Sequence, residues 1–563
     1  MKFKDIEYKR PEFEDLKKEY EERLIELEKA ADEDEYLKAF KKLNVLRGHI
    51  YTMKTLCYIR HSINTADEFY DRENSYWDET MPRLQEYEVK MAKILLNSPF
   101  RNKVDIPKTL YKLLEYTLKS FSPEIIEDMQ EENRLVSEYG KLKSSARIDF
   151  DGQIYNLASI APLMNSSDRD IRRRATQAYN RFFEENEGRF DEIYDRLVKV
   201  RDTMAKKLGY ENYTPLGYIK MNRLDYDQDM VSKYREQVIK DIVPLTIELR
   251  KKQAKRLGLE KLECYDLNYN FKSGNPKPHG TLDELIKAAL KMYSEMSPET
   301  GEFFKMMVDN EMFDLPTREN KEMGGYCDGL FDYKMPFIFA NANGTAGDVD
   351  VLTHEAGHAF QFFTTLKDVD IPDLSFPTME SAEIDSMSME FFAHPYSEYF
   401  FKEDAEKYHY FHIVSALVFL PYGCLVDHFQ HEVYNHPEMS PEQRKQTWRR
   451  LEKIYKPDVE YDGFDLLERG GFFFRQGHIF QSPFYYIDYT LAQVCALQFF
   501  VRMLKKDEDA WKDYVHICGL GGTKSFIEIV KDAHLKVPFE EGCLKEVAAV
   551  MKEELDKIDD EAF

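Results

Sequence analysis

The sequence predicts a mainly α-helical protein with one small β-sheet, and three observations point that way. Charged and apolar residues recur at helical spacing over most of the chain. β-prone residues concentrate in one stretch, 324–344, and that stretch runs directly into a helix-compatible segment containing His354-Glu355-Ala356-Gly357-His358.

From residue 13 to about 60, Leu24, Ile25, Leu27, Leu37, Phe40, Leu43, Leu46, Ile50 and Met53 repeat at the spacing of one helix face, with little Gly or Pro between them. Residues 66–145 continue in the same way. Pro82, Pro99, Pro107 and Pro123 are expected to start or break helices there, because proline lacks an N–H and crowds the preceding turn. At 147–155 alternating residues flank Asp151-Gly152, the signature of a β-hairpin with a two-residue turn. Asn165 to Asp168 supplies capping chemistry for a helix over about 169–185.

Helices are expected to continue past 191 to 208 and, after a break at 210–215, from about 227 to 257. Gly274, Pro276 and Pro278 make 269–280 a loop, and helices follow to about 309. Residues 336–340 read as a strand, and the remainder is helical apart from a break at Arg469-Gly470-Gly471. A length of 563 residues divides on this pattern into a helical lobe at 1–145, a middle helical region with the hairpin at 146–325, and a region at 326–563 holding the His354 helix and the sheet.

The composition, 43% hydrophobic and 32% charged, can bury a core without disulfide or metal staples. A net charge of −25, from 103 acidic against 78 basic residues, excludes nucleic acid and anionic membrane surfaces as expected partners. The seven cysteines are scattered and form no CxxC pair, the pattern of reduced thiols in a cytoplasm. The first residues lack the apolar core of a signal peptide, and no run of about 18 apolar residues is seen. A cytoplasmic location is therefore expected.

The chemistry centres on residues 354–358. On a helix, histidines four apart sit about 40° apart, so both imidazoles reach one ion. Glu355, displaced by about 100° from His354, stands beside that ion, where it can meet a water. Catalytic zinc takes three protein ligands and keeps one position open, so a third ligand is required. A second helix is expected after Pro372 and Pro377, and it carries Glu380, Glu383, Asp385 and Glu390. Glu383, 25 residues after His358, is the first choice, although periodicity alone does not separate it from the other three. An unused acid is a candidate to orient a ligand histidine. The histidine-rich stretch at 428–436 is a decoy, since His431 and His436 are five apart, about 140° on a helix, and share no ion, while His428 and His431 could share one but have no clear third ligand.

With these residues in view, the sequence resembles the thimet oligopeptidase and oligoendopeptidase F family of zinc peptidases, and most of all its Pz-peptidase branch. The resemblance rests on HEAGH with glutamates 25 and 32 residues on, on the run at 337–345, and on Gly477-His478 followed by Phe484-Tyr485-Tyr486-Ile487-Asp488-Tyr489. It implies an elongated body of two helical lobes around a deep substrate channel. It also implies one Zn2+ per chain held by His354, His358 and Glu383, with Glu355 as general base and acid and Glu390 as the family's second glutamate.

His478, Tyr489 and Tyr486 are the implied oxyanion partners, and Tyr485 competes with Tyr486 or contacts substrate. One departure stands out: Ser482-Pro483-Phe484 replaces the family's usual glycine pair and tyrosine. The implied activity is endopeptidase cleavage of short peptides, with Phe339 and Ala340 expected to hold the peptide by backbone pairing. A metallocarboxypeptidase of related fold and a helical scaffold with a vestigial metal site are the alternatives. The oligomeric state is left open.

Overall fold

The structure is a computed structural model and describes residues 1–318 and 320–563. Its contacts divide the chain into two units, each assembled from three stretches. One comprises Met1–Phe121, Pro278–Phe400 and Arg502–Leu535; the other comprises Ser122–Lys277, Phe401–Val501 and Lys536–Phe563. These boundaries differ from the linear division at 145 and 325, because helices distant in sequence pack together.

The first unit begins with four helices, Phe13–Glu28, Glu33–Ile63, Glu68–Asn97 and Lys108–Ser120. Asp32 caps the second by accepting from the Glu35 N–H, and Asp67 caps the third. Pro107 stands at the start of the fourth, as expected. Pro82 does not break its helix. It lies inside Glu68–Asn97, where the buried face formed by Trp77, Thr80, Leu84 and Tyr87 outweighs one lost hydrogen bond.

Among the described residues, five short strands form two sheets. In the second unit, β1 (Ile148–Phe150) and β2 (Gln153–Tyr155) pair antiparallel, with Asp151 at φ 52° and Gly152 at φ 82° making the expected turn. In the first unit, β3 (Phe313–Pro316), β4 (Tyr326–Leu330) and β5 (Met335–Ala342) form a sheet of order β3-β5-β4. β3 runs parallel and β4 antiparallel to the central β5.

That order corrects the expected role of Phe339 and Ala340. Both edges of β5 are already paired, Tyr326 opposing Phe339 on one side and Asp314 on the other. The Phe339 ring is buried and stacks on Tyr326 at 4.7 Å, and the Ala340 carbonyl accepts from Lys321 Nζ. The edge strands of this sheet are β3 and β4.

In the second unit the helix Arg169–Glu185 starts where expected, with Asp168 accepting from the N–H groups of Asp170 and Ile171. A further helix, Tyr213–Lys220, occupies ground read as a break; Asn212 caps it, and Pro215 falls in its first turn, where no N–H is needed. The helical run from 227 contains a π-helical turn at Val238–Ile242 before resuming as Val243–Leu257. Glu398–Asn435 is the one stretch among the described residues long and apolar enough to cross a membrane, with mean hydropathy 1.5. Two-thirds of that window is buried within the protein (67%), as in a core helix.

Candidate metal centre and tyrosine cluster

Two helices of the first unit build the candidate metal centre. The HEAGH helix, Gly347–Thr365, follows β5 and packs against β4 and β5, and the carboxylate helix, Met379–Phe392, lies against it. Gly357 permits their close approach: a Cβ there would sit 2.5 Å from the Asp385 carbonyl oxygen and 2.6 Å from Ser386 Cα. The glycine inside HEAGH is thus a packing requirement, set by backbone atoms that have nowhere to move.

This approach brings the donor atoms together. Glu383 Oε2 lies 3.2 Å from His354 Nε2 and 3.5 Å from His358 Nε2, and the three ligand atoms all fall within 4.8 Å of one another. Three donors each about 2.1 Å from a tetrahedral ion lie about 3.4 Å apart, and the two distances to Glu383 fit that spacing. Two imidazoles and a carboxylate also match the ligand types of catalytic zinc. Ser386 Oγ donates to Glu383 Oε2 at 2.8 Å and steadies it. Burial works against charge on Glu383, yet the imidazoles of His358 and His354 hold its carboxyl well below the usual range.

The competing acids fall into place. Glu390 Oε1 accepts from His354 Nδ1 at 2.7 Å, which keeps that proton on Nδ1 and turns the Nε2 lone pair toward Glu383. Asp385 faces away, its Oδ1 taking the Cys518 thiol at 3.4 Å while Tyr514 donates to its carbonyl at 2.8 Å. Glu380 is buried outside the converging group.

Glu355 is buried, and its Oε2 has no hydrogen-bond partner among the described residues. Burial pushes its carboxyl upward, opposed by His354 and His358. Its other oxygen lies 3.5 Å from where a Cβ on Gly325 would stand, an ordinary contact distance that sets the residue preceding β4 beside this carboxylate.

The second unit gathers the aromatic candidates. Around His478, ring centroids stand at 5.6 Å for Tyr485, 5.0 Å for Tyr486 and 5.6 Å for Tyr489. The Tyr489 hydroxyl is 3.4 Å from His478 Nε2. The tyrosine helix, Tyr486–Leu504, follows Phe484, which holds φ 68°, an uncommon conformation for a bulky residue. Its surroundings enforce that strain. Arg223 donates to the Phe484 carbonyl at 2.8 Å and pairs with Asp488 at 2.5 Å, Gln430 accepts from the Phe484 N–H at 3.2 Å, and the ring packs directly against Gly217. Where the resemblance implies a glycine pair and a tyrosine, this chain has Ser482, Pro483 and the clamped Phe484.

The profile described as peptidase family M3 matches residues 162–549, and that of the peptidase M3 N-terminal domain matches 3–121. The chain belongs to peptidase family M3. A solved structure titled Pz peptidase A with inhibitor 2 is 48% identical to this M3 peptidase, covers 100% of both chains and superposes with a TM-score of 0.97. The oligoendopeptidase F of Enterococcus faecium shares the fold, with a TM-score of 0.65 over 98% of each chain at 15% identity. Among curated sequences, an oligoendopeptidase F homolog of Borreliella burgdorferi is 23% identical over 375 residues, 64% of this chain. That match spans 61% of the relative's length, and the match to the chromosomal oligoendopeptidase F of Lactococcus lactis subsp. cremoris spans 32%.

Sequence reasoning missed several residues that this M3 peptidase uses to shape the two clusters. Ser386, Gly325, Arg223 and Gln430 lie in unremarkable local patterns and gain meaning only from contacts remote in sequence. The glycine pair Gly324-Gly325 before a strand was the one available signal.

Proposed function

We propose that this family M3 peptidase is a zinc metalloendopeptidase that hydrolyses internal bonds of short peptides. The observation that carries the reading is the convergence of His354, His358 and Glu383 beside the unpartnered Glu355 Oε2. His354 Nε2, His358 Nε2 and Glu383 Oε2 are the atoms proposed to hold one zinc per chain. Bound there, zinc supplies a Lewis acid that lowers the pKa of water toward about 7 and polarises the scissile carbonyl.

The side chains supply the remaining chemistry. Glu390 keeps the His354 proton on Nδ1, leaving Nε2 free to act as a ligand. Glu355 takes a proton from the attacking water at Oε2 and delivers it to the leaving amine nitrogen. His478, Tyr489 and Tyr486 are proposed as donors to the developing oxyanion, with Tyr485 contacting substrate, and this role rests on the family resemblance. The peptide is proposed to pair with β4 beside Gly325 in place of β5, because β4 has an unpaired edge and its start lies next to Glu355. A reducing, cytoplasmic setting accompanies the reading, since all seven cysteines are free thiols.

Glu355→Gln tests the assignment. It should keep its zinc while kcat falls by about 10²- to 10⁴-fold; hydrolysis at the wild-type rate would end the base assignment. Mass spectrometry of products from end-blocked peptides separates the reaction classes. Internal cuts are expected, and trimming confined to free C-termini would favour the carboxypeptidase.

A further inference from the structure

We propose that Gln476 is a positioning residue that fixes His478 as its Nε2–H tautomer, with Tyr422 holding the Gln476 amide in place. The inference deepens the reading of His478 as an oxyanion donor and rests on it. A neutral imidazole carries one proton on two nitrogens, and only the tautomer with hydrogen on the substrate-facing nitrogen can donate there.

The geometry selects that tautomer. Gln476 Nε2 lies 2.9 Å from His478 Nδ1. An amide nitrogen donates and does not accept, so Nδ1 is the acceptor and the ring proton resides on Nε2. The orientation of the amide matters, because the reversed group would present its oxygen and draw the proton to Nδ1. Tyr422 opposes reversal by donating its hydroxyl to Gln476 Oε1 at 2.6 Å. Burial raises the Tyr422 phenol well above its ordinary value, so it remains a donor across the working range. The Nε2 side of His478 is the side that meets the Tyr489 hydroxyl, 3.4 Å away.

A glutamine differs from a carboxylate at this position in a definite way. A carboxylate would attract a proton to Nδ1 and favour the imidazolium. The amide N–H at Nδ1 is lost as a partner when that nitrogen is protonated, so Gln476 keeps the ring neutral and donating from Nε2. Tyr485, Tyr486 and Tyr489 are titratable groups that face the ring. Tyr422 in turn faces Tyr486, Arg475, Glu452 and Tyr139.

Gln476→Glu and Gln476→Met test the proposal, read first by long-range ¹H–¹⁵N spectra of histidine-labelled protein, with His478→Gln assigning the signal. The wild type should show protonated Nε2 and bare Nδ1 at pH 8. Gln476→Glu should move the proton to Nδ1 and lower kcat at pH 8 by about 10- to 100-fold, with KM and zinc content unchanged and a smaller loss on the acid side. Gln476→Met, which removes the donor without adding a carboxylate, should shift both readouts less. Protonated Nδ1 in the wild type would overturn the proposal, as would a Gln476→Glu enzyme with wild-type kcat and pH profile when His478→Gln is impaired. Full kcat in His478→Gln would remove the oxyanion reading instead, and the nitrogen shifts would then decide the tautomer alone.

Discussion

Two histidine-rich helices in this chain have opposite fates. In the HEAGH helix, His354 and His358 turn nitrogens toward one carboxylate, Glu383. In the helix Ala405–Asn435, His431 is enclosed by Arg235, Asp427 and Tyr218, and His428 bonds the Tyr455 hydroxyl at 3.0 Å. The first set turns its donor atoms toward a shared carboxylate, whereas the second includes an arginine that neutralises Asp427. Histidine content alone does not make a metal centre. Spacing of four and a facing carboxylate helix mark the candidate.

The largest effect that would break this contrast is expected at Gly357. Gly357→Ala places a methyl group against the Asp385 and Ser386 backbone and should spread the two ligand helices. Zinc affinity should fall by about 10- to 100-fold, measured by competition with a chelator. Unchanged affinity would mean that the close approach is dispensable. Next is the buried pair in the other helix. Arg235→Met leaves Asp427 fully buried with only His431 to offset it, and should cost about 3 kcal/mol in denaturant unfolding while zinc content stays the same. Loss of zinc in that variant would contradict the separation of roles.

The smallest effect concerns His428, whose pKa is lowered from 6.5 to about 4, chiefly by burial and then by Arg235. The unfolded chain binds this proton more readily than the folded one, so the contribution to stability is present above about pH 6.5 and is lost as pH falls toward 4. The stability difference between the wild type and His428→Gln should shrink over that window; a pH-independent difference would refute the assignment.

The metal centre was largely legible in the sequence because its parts are local. His354, Glu355 and His358 share one helix, and Glu383 and Glu390 share the next. The hairpin at Asp151-Gly152 and the cap at Asp168 were readable for the same reason. What escaped was long-range. The pairing of β5 with β3 on one side and β4 on the other makes it the central strand, and no pattern within 336–340 reveals it. Pro82 stays helical because tertiary packing overrides a local preference. Asp385 could be separated from Glu383 only once Cys518 and Tyr514 were seen to occupy it. The three tyrosines cluster around His478 as expected, while Gln476 and Tyr422, which orient that histidine, carry no motif.

Zinc stoichiometry of the purified, zinc-reloaded protein, measured beside peptide hydrolysis in the same samples, reaches furthest. One zinc per chain and active enzyme are expected for the wild type and for His436→Ala, whose ring is exposed in the decoy helix. Glu383→Ala and His358→Ala should lose both metal and activity. A Glu383→Ala protein that binds one zinc with wild-type affinity and still cleaves peptides would contradict the centre described.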